Sequence, residues 1–258
     1  MAAPLQTTRE RKPLAGRQPP PLGSKEMAAA VLYAIRSRRS IRGFLPDPVP
    51  DTIIREILLA AGRAPSGSNI QPWQVHVLTG AALKRMSERL SEAFLGGQPE
   101  QPEYNYYPVN WREPYLARRR ETGWGLYRLA NIERGDREAS RRQRARNYRF
   151  FGAPVGMVFT IDDDLQEGSW LDYGMFLGGL MTAARAYGLD TCPQAAIGNY
   201  PDIVHRELAI PDNQTIICGM ALGWADAEEP TNALQTSRVP LESFVTFHSG
   251  TADDPVEA

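Results

Sequence analysis

Arg38, Ser40 and Arg42 stand two residues apart in the run Arg38-Arg39-Ser40-Ile41-Arg42. In an extended chain alternate side chains share one side, so two guanidinium groups and a hydroxyl can converge on one anion. The planar fork of Arg pairs bidentately with phosphate oxygens. The same residues also suit a solvated basic cluster at a helix C-terminus, where cations are favoured. Further on, Pro65-Ser66-Gly67-Ser68-Asn69 is a turn by composition. It offers hydroxyls, an amide and backbone N–H groups, and Gln71 adds a side chain that both donates and accepts. An ordinary helix-to-strand loop has the same composition. Cys192-Pro193-Gln194-Ala195 and a late Arg238 complete the set. In this order the segments supply what is needed to hold a phosphate, a polyol chain and a flat ring with polar edges, the three parts of a flavin. In a flavoenzyme the cofactor carries the redox chemistry, and the protein binds, orients and tunes it.

These segments need elements to position them. Ser24 is placed to cap a helix with Met27, Val31, Ala34 and Ile35 on one face, ending near Ser37. The Arg38–Arg42 run then leaves its C-terminus. Asp51 is expected to cap a second helix with Ile54, Ile57, Leu58 and Ala61 on one face, stopping near Gly62 and Pro65. Alternation over residues 73–78 predicts a strand, followed by a short helix with Leu83, Met86 and Leu90 inward. Residues 96–114 read as irregular, and 113–148 as one or two arginine-rich helices broken near Gly123 and Gly125. The apolar run Val155 to Ile161 suits a strand buried on both faces. Leu171 to Gly188 reads as a helix rich in small residues, fit for close packing against a neighbour. Strands are expected at 191–197 and 215–222, with a short helix at 201–208 between them and an extended tail at 240–248. Helices alternating with and surrounding a modest sheet make the class α+β or α/β.

With 258 residues the chain can bury one large core, and no linker divides its middle. A single domain over 24–248 is expected, with a mobile N-terminal arm over 1–23 and a tail over 249–258. The net charge of -1 and pI near 6.3 weigh against a nucleic-acid binder. Lysines are limited to Lys12, Lys25 and Lys84, so arginine use is general in this chain. Cys192 and Cys218 are far apart and show no metal spacing with the three histidines. They read as free thiols of a reducing cytoplasm. No run is long and apolar enough to span a bilayer.

The segments Arg38 to Phe44 and Ala64 to Trp73 carry a family resemblance, together with Phe151-Gly152-Ala153-Pro154, Cys192 to Ala195, Leu222-Gly223-Trp224 and Arg238-Val239-Pro240. Over residues 27–247 the chain resembles the flavin-dependent nitroreductases. The resemblance implies a nitroreductase-like α+β fold, with a central mixed sheet surrounded by helices, in an interleaved homodimer. It implies bound FMN, with each site built from both chains. Arg38, Ser40, Arg42 and Arg238, assisted by Arg39, match the phosphate-binding positions. Pro65, Ser66, Gly67, Asn69 and Gln71 match those at the ring edge and ribityl chain. Pro193, Gln194 and Ala195 match the loop along one ring face, where a backbone N–H reaches the ring. NAD(P)H is then the reductant in a ping-pong cycle, and a small aromatic nitro compound the oxidant. Quinone or enone reduction, dehalogenation and dehydrogenation run on the same scaffold, and a flavin-storing or sensing protein would share the motifs.

The chain departs from the family at two places. Many members have an acidic residue and a glycine where Ala195 and Ala196 stand, so a carboxylate near the ring is lost while a backbone donor survives. The long segment over about 96–150 varies in the family and covers the site. It carries Tyr104, Tyr106, Tyr107, Trp111, Tyr115, Trp124 and Tyr127, suited either to stacking on a flat substrate or to packing the lid. Its run Arg141 to Arg146 suits an anionic partner or a solvated helix face, and Arg149 is a further candidate to approach the flavin.

Overall fold

The computed structural model describes residues 20–248. The expected arm over 1–23 therefore lies almost wholly, and the tail over 249–258 wholly, outside the described residues. Four strands form one sheet: β1 (Gln74–Thr79), β2 (Val155–Asp162), β3 (Asp190–Gln194) and β4 (Gln214–Gly223), in the order β1-β2-β4-β3. All three pairings are antiparallel. The sheet is thus less mixed than expected, its parallel component being a single bridge between Ser40 and Thr191.

Burial of β2 on both faces explains its continuous apolar run. Val155, Met157, Phe159 and Ile161 pack into a cluster with Ile54 and Ile57 of α2 (Asp51–Ala61) and Tyr173, Phe176 and Leu180 of α6 (Glu167–Ala186). Val158, on the opposite face, joins Leu83, Met86 and Leu90 of α3 (Gly80–Gly96). Gly156 lets α3 approach closely: a Cβ there would lie 2.6 Å from Leu83.

The first helix, α1 (Lys25–Ser37), starts as expected, with Ser24 Oγ accepting from Met27 N at 3.2 Å. None of its residues is buried, and Val31, Leu32, Tyr33 and Ile35 stand exposed. The apolar stripe on α1 thus finds no core within its own chain. α6 behaves similarly on one side. Its inward face is Ser169, Asp172, Tyr173, Phe176, Leu180 and Ala184, whereas Leu171 is 70% exposed. A Cβ added at Gly174 or Gly178 would meet nothing within 4 Å, so these small residues face away from the chain's core.

Several local expectations are corrected. Asp51 is the first helical residue of α2, after Pro50, and makes no side-chain cap. The helix after β1 is long, 17 residues, and closes on Gly97 in the left-handed conformation. α4 (Tyr115–Leu129) runs unbroken through Gly123 and Gly125. Isolated glycines cost a helix about 1 kcal/mol each, which the rest of the segment absorbs. The break falls instead at 130–136, where Asn131 and Gly135 have positive φ, before Asp136 caps α5 (Arg137–Ala145). β3 ends at Gln194, and Ala195–Asn199 turn as a 3₁₀ helix toward α7 (Pro201–Leu208). The region 240–248, expected to be extended, contains a 3₁₀ turn at Leu241–Ser243. Among the described residues, no helix is long and apolar enough to cross a membrane.

Candidate functional site

After α1 the chain becomes extended and crosses the end of β3. Ser40 bridges Thr191, and Ile41 N donates to Thr191 O at 3.1 Å. Ile41 is buried and fastens the segment. Arg38, Arg39, Ser40 and Arg42 line one side of a cleft of about 720 Å³, and Arg36, Arg185, Thr236 and Arg238 complete its polar wall. Among the described residues, no Asp or Glu lines this cleft. Arg185 is already neutralised: Nη1 donates to Asp190 Oδ1 at 2.6 Å and to Leu189 O at 3.0 Å. Burial raises the Asp190 carboxyl above its usual range, against the opposing pull of Arg185. Among the described residues, Arg38, Arg39, Arg42 and Arg238 form no ion pair. Arg238 Nη1 donates to Thr236 Oγ1 at 2.8 Å and Ser237 O at 2.8 Å, and Arg42 Nη1 to Ser40 O at 3.1 Å. Several cations with neutral partners in one concavity form a site for a multiply charged anion.

A second cleft of about 490 Å³ lies along the end of β3. Cys192, Pro193, Gln194, Ala195 and Ala196 line it, with Asn147, Asn199, Tyr104, Asn105, Tyr106 and Tyr107. Arg42 lines both clefts, so they adjoin at that side chain. Gln194 is buried. Its Nε2 donates to Asn147 O at 2.6 Å while its Oε1 has no partner among the described residues. Burial pushes the Cys192 thiol up to about 11 and the Cys218 thiol up to about 12, so both stay protonated and unreactive at neutral pH. Burial also raises the Tyr104 hydroxyl. That hydroxyl donates to Ile217 O, and its ring packs edge-on against Trp170. Tyr104 thereby fastens its segment to β4 and α6, whereas Tyr106 and Tyr107 remain exposed beside the cleft.

Pro65, Ser66, Gly67, Asn69 and Gln71 line neither cleft within this chain. They form a turn between α2 and β1, anchored where Gly67 N donates to the buried Asp172 Oδ2 at 3.0 Å. Ser66 Oγ is occupied by Gln71 N at 3.0 Å, and Gln71 Nε2 donates to Asn69 O at 3.2 Å. Ser68, Asn69 and Gln71 have φ of 50°, 59° and 50°. Three non-glycine residues in the left-handed region within four positions constitute real backbone strain, held on an exposed surface beside α6.

Other candidates are placed elsewhere. Arg149 Nε faces Ser91 Oγ at 3.4 Å and lines a separate cleft with Lys84 and Pro154. The arginine run is engaged internally. Arg141 donates to Phe94 O and Leu95 O at the end of α3, Arg142 pairs with Glu138, Arg144 with Glu100 and Arg146 with Glu229. Asn147, Asn232 and the Arg185–Asp190 pair carry parts of the site that sequence reading missed. They lie outside the recognisable motifs, and only their spatial neighbours mark them.

The chain belongs to the nitroreductase family, whose model matches residues 35–224. It is 44% identical over 215 residues to a chloronitrobenzene nitroreductase of Comamonas testosteroni, covering 83% of this chain and 94% of that one. It is 42% identical to a nitrobenzene nitroreductase of Ectopseudomonas oleovorans, with the same coverage. Among solved structures, it matches the FMN-dependent nitroreductase NfnB from Mycobacterium smegmatis in complex with NADPH. That match has a TM-score of 0.83 and 31% identity, over 86% of this chain and 100% of that chain.

FMN fits the residues present. A carboxylate-free arginine cleft suits its phosphate, and the adjoining uncharged cleft, with the orphaned Gln194 Oε1 and the turning backbone at Ala195, suits a flat ring with polar edges.

Proposed function

We propose that the protein is an FMN-dependent NAD(P)H oxidoreductase that reduces nitroaromatic compounds by a ping-pong cycle. The observation that carries this reading is the carboxylate-free arginine cleft adjoining the Pro193–Ala195 cleft through Arg42. Bound FMN would supply hydride transfer at its ring. Arg38, Arg39, Ser40 and Arg238 hold the phosphate by charge-assisted hydrogen bonds. Arg42 stands between the phosphate and ring ends, where a cation favours the electron-rich reduced ring. Pro193, Gln194 and Ala195 flank one ring face. With alanine at 195 and 196, those two positions offer only their backbone N–H groups as donors. Residues of about 96–150 form the lid over the substrate, within a single domain over 24–248.

The functional unit in this reading is a homodimer. Three observations support it: the exposed apolar residues of α1, the outward small-residue stripe of α6, and the strained, exposed turn at 65–71 anchored on Asp172 of the same helix. A second copy seated there buries the first two and offers the turn's polar groups to a flavin held by its partner. Free, buried Cys192 and Cys218 suit a reducing, cytoplasmic setting.

The visible spectrum of the purified protein tests the reading. A flavin band is expected that bleaches anaerobically with NADPH or NADH and returns when nitrobenzene is added. A protein that stays colourless after incubation with FMN refutes it.

A further inference from the structure

Arg42 sits where the backbone loses its sheet partners. Before it, Ser40 and Ile41 are registered on Thr191. After it, Phe44 bridges Ala225 and Leu45 N donates to Trp224 O at 2.9 Å. Across this gap the peptide groups of Arg42 are held by side chains. Its N–H donates to Asn232 Oδ1 at 2.7 Å, and its carbonyl accepts from Arg146 Nη2 at 2.7 Å.

Asn232 is 8% exposed and uses every polar atom of its side-chain amide. Nδ2 donates to Gly43 O at 2.8 Å and to Asp226 O at 2.9 Å, while its backbone carbonyl accepts from Arg39 Nη1 at 3.2 Å. One acceptor must meet an N–H while two donors meet carbonyls. Among side chains of this length only Asn supplies that pattern. Arg146 is held in turn by Glu229 at 2.7 Å, and Glu229 Oε1 accepts from Thr231 N and Oγ1. This pair lies directly over Gly43, where a Cβ would stand 2.3 Å from Glu229 Cγ.

We propose that Asn232, backed by the Arg146–Glu229 pair, is a positioning residue that holds Arg42 at the junction of the phosphate and ring clefts. The proposal rests on the reading of those clefts as the FMN site. With Asn232 removed, the Arg42 N–H loses its partner and the peptide is held across the gap by Arg146 alone, so the guanidinium is less firmly placed at the junction. The grip of Arg42 on the cofactor is therefore what weakens first.

A double-mutant cycle on FMN affinity tests this, followed as release of fluorescent FMN on dilution of the holoenzyme. Asn232→Ala and Arg42→Ala should each raise the FMN Kd about tenfold, the equivalent of one charge-assisted hydrogen bond. The double variant should be no more than about twofold weaker than the worse single one, because the two residues act through one interaction. Asn232→Ala should also weaken the reduced flavin more than the oxidised, lowering the midpoint potential. Additive losses, or equal losses in both redox states, would show that Asn232 supports only general stability and would overturn the proposal. An Arg42→Ala protein that binds FMN like the parent would overturn the Arg42 assignment itself. If Asn232→Ala does not fold, Asn232→Leu keeps the side-chain volume while removing the acceptor that holds the Arg42 N–H, and the same cycle applies with the same outcomes.

Discussion

Replacing Arg38 or Arg238 by Ala removes one cation from a cleft that contains no carboxylate to be left unpaired. The folded chain should therefore tolerate the change, and the loss should fall on the ligand. A charge-assisted hydrogen bond contributes about 1.5–3 kcal/mol. Arg238 is exposed, and screening places it at the lower end, near ~1.5 kcal/mol or about tenfold in affinity. Arg38 is half-buried and is expected nearer ~2 kcal/mol, about thirtyfold. Because the effect is electrostatic, the difference between parent and variant should shrink as salt shortens the Debye length from ~10 Å at 0.1 M to ~3 Å at 1 M. The assay is titration of flavin-free protein with FMN by fluorescence quenching at low and high salt. Unchanged affinity in both variants at low salt would refute the phosphate assignment. A loss that does not depend on salt would show that the arginines act by shape alone.

Gly174→Arg projects into open space on α6 and replaces a poor helix former, so the monomer should fold at least as well as the parent. If a second copy covers this face, the variant should elute as a monomer and lose FMN; a flavin-loaded dimer of normal mass would refute the dimer reading. Burial works against ionisation of Glu229, but hydrogen bonds from Arg146 and Thr231 outweigh it and lower its pKa from 4.5. Its stabilising contribution is therefore present above pH 4.5 and lost as the pH falls through the lower folded value. Glu229→Gln should accordingly flatten acid unfolding in that range, measured by circular dichroism, and an unchanged acid limb would refute it. The raised thiols of Cys192 and Cys218 predict negligible reaction with iodoacetamide at pH 8 in the native protein, and prompt alkylation of both in denaturant.

Where local forces act alone, the elements were legible in the sequence. Ser24 caps α1 because its hydroxyl reaches an N–H three residues on. Strand β2 follows from an apolar run that only a two-faced burial explains. The glycines of α4 misled because propensity is a weak prior that a helix with good neighbours overrides. The arginine run over 141–146 is engaged within the chain, where helix-end carbonyls and carboxylates, most of them distant in sequence, pair with it.

The sequence by itself determined the residue types of the candidate site: the arginines at 38, 39, 42 and 238, the turn at 65–71 and the loop at 193–195. Each is defined by local chemistry and spacing, which a linear pattern records. The tertiary structure decided which of these meet. It joined the arginines into one cleft, because α1 delivers its C-terminal segment onto the end of β3. It set the turn at 65–71 apart from both clefts, anchored on Asp172 of α6. It also recruited Asn232 and the Arg146–Glu229 pair, whose hydrogen bonds span 104 to 190 residues to reach Arg42. Such contacts arise from chain crossings in space, and no spacing along the chain encodes them.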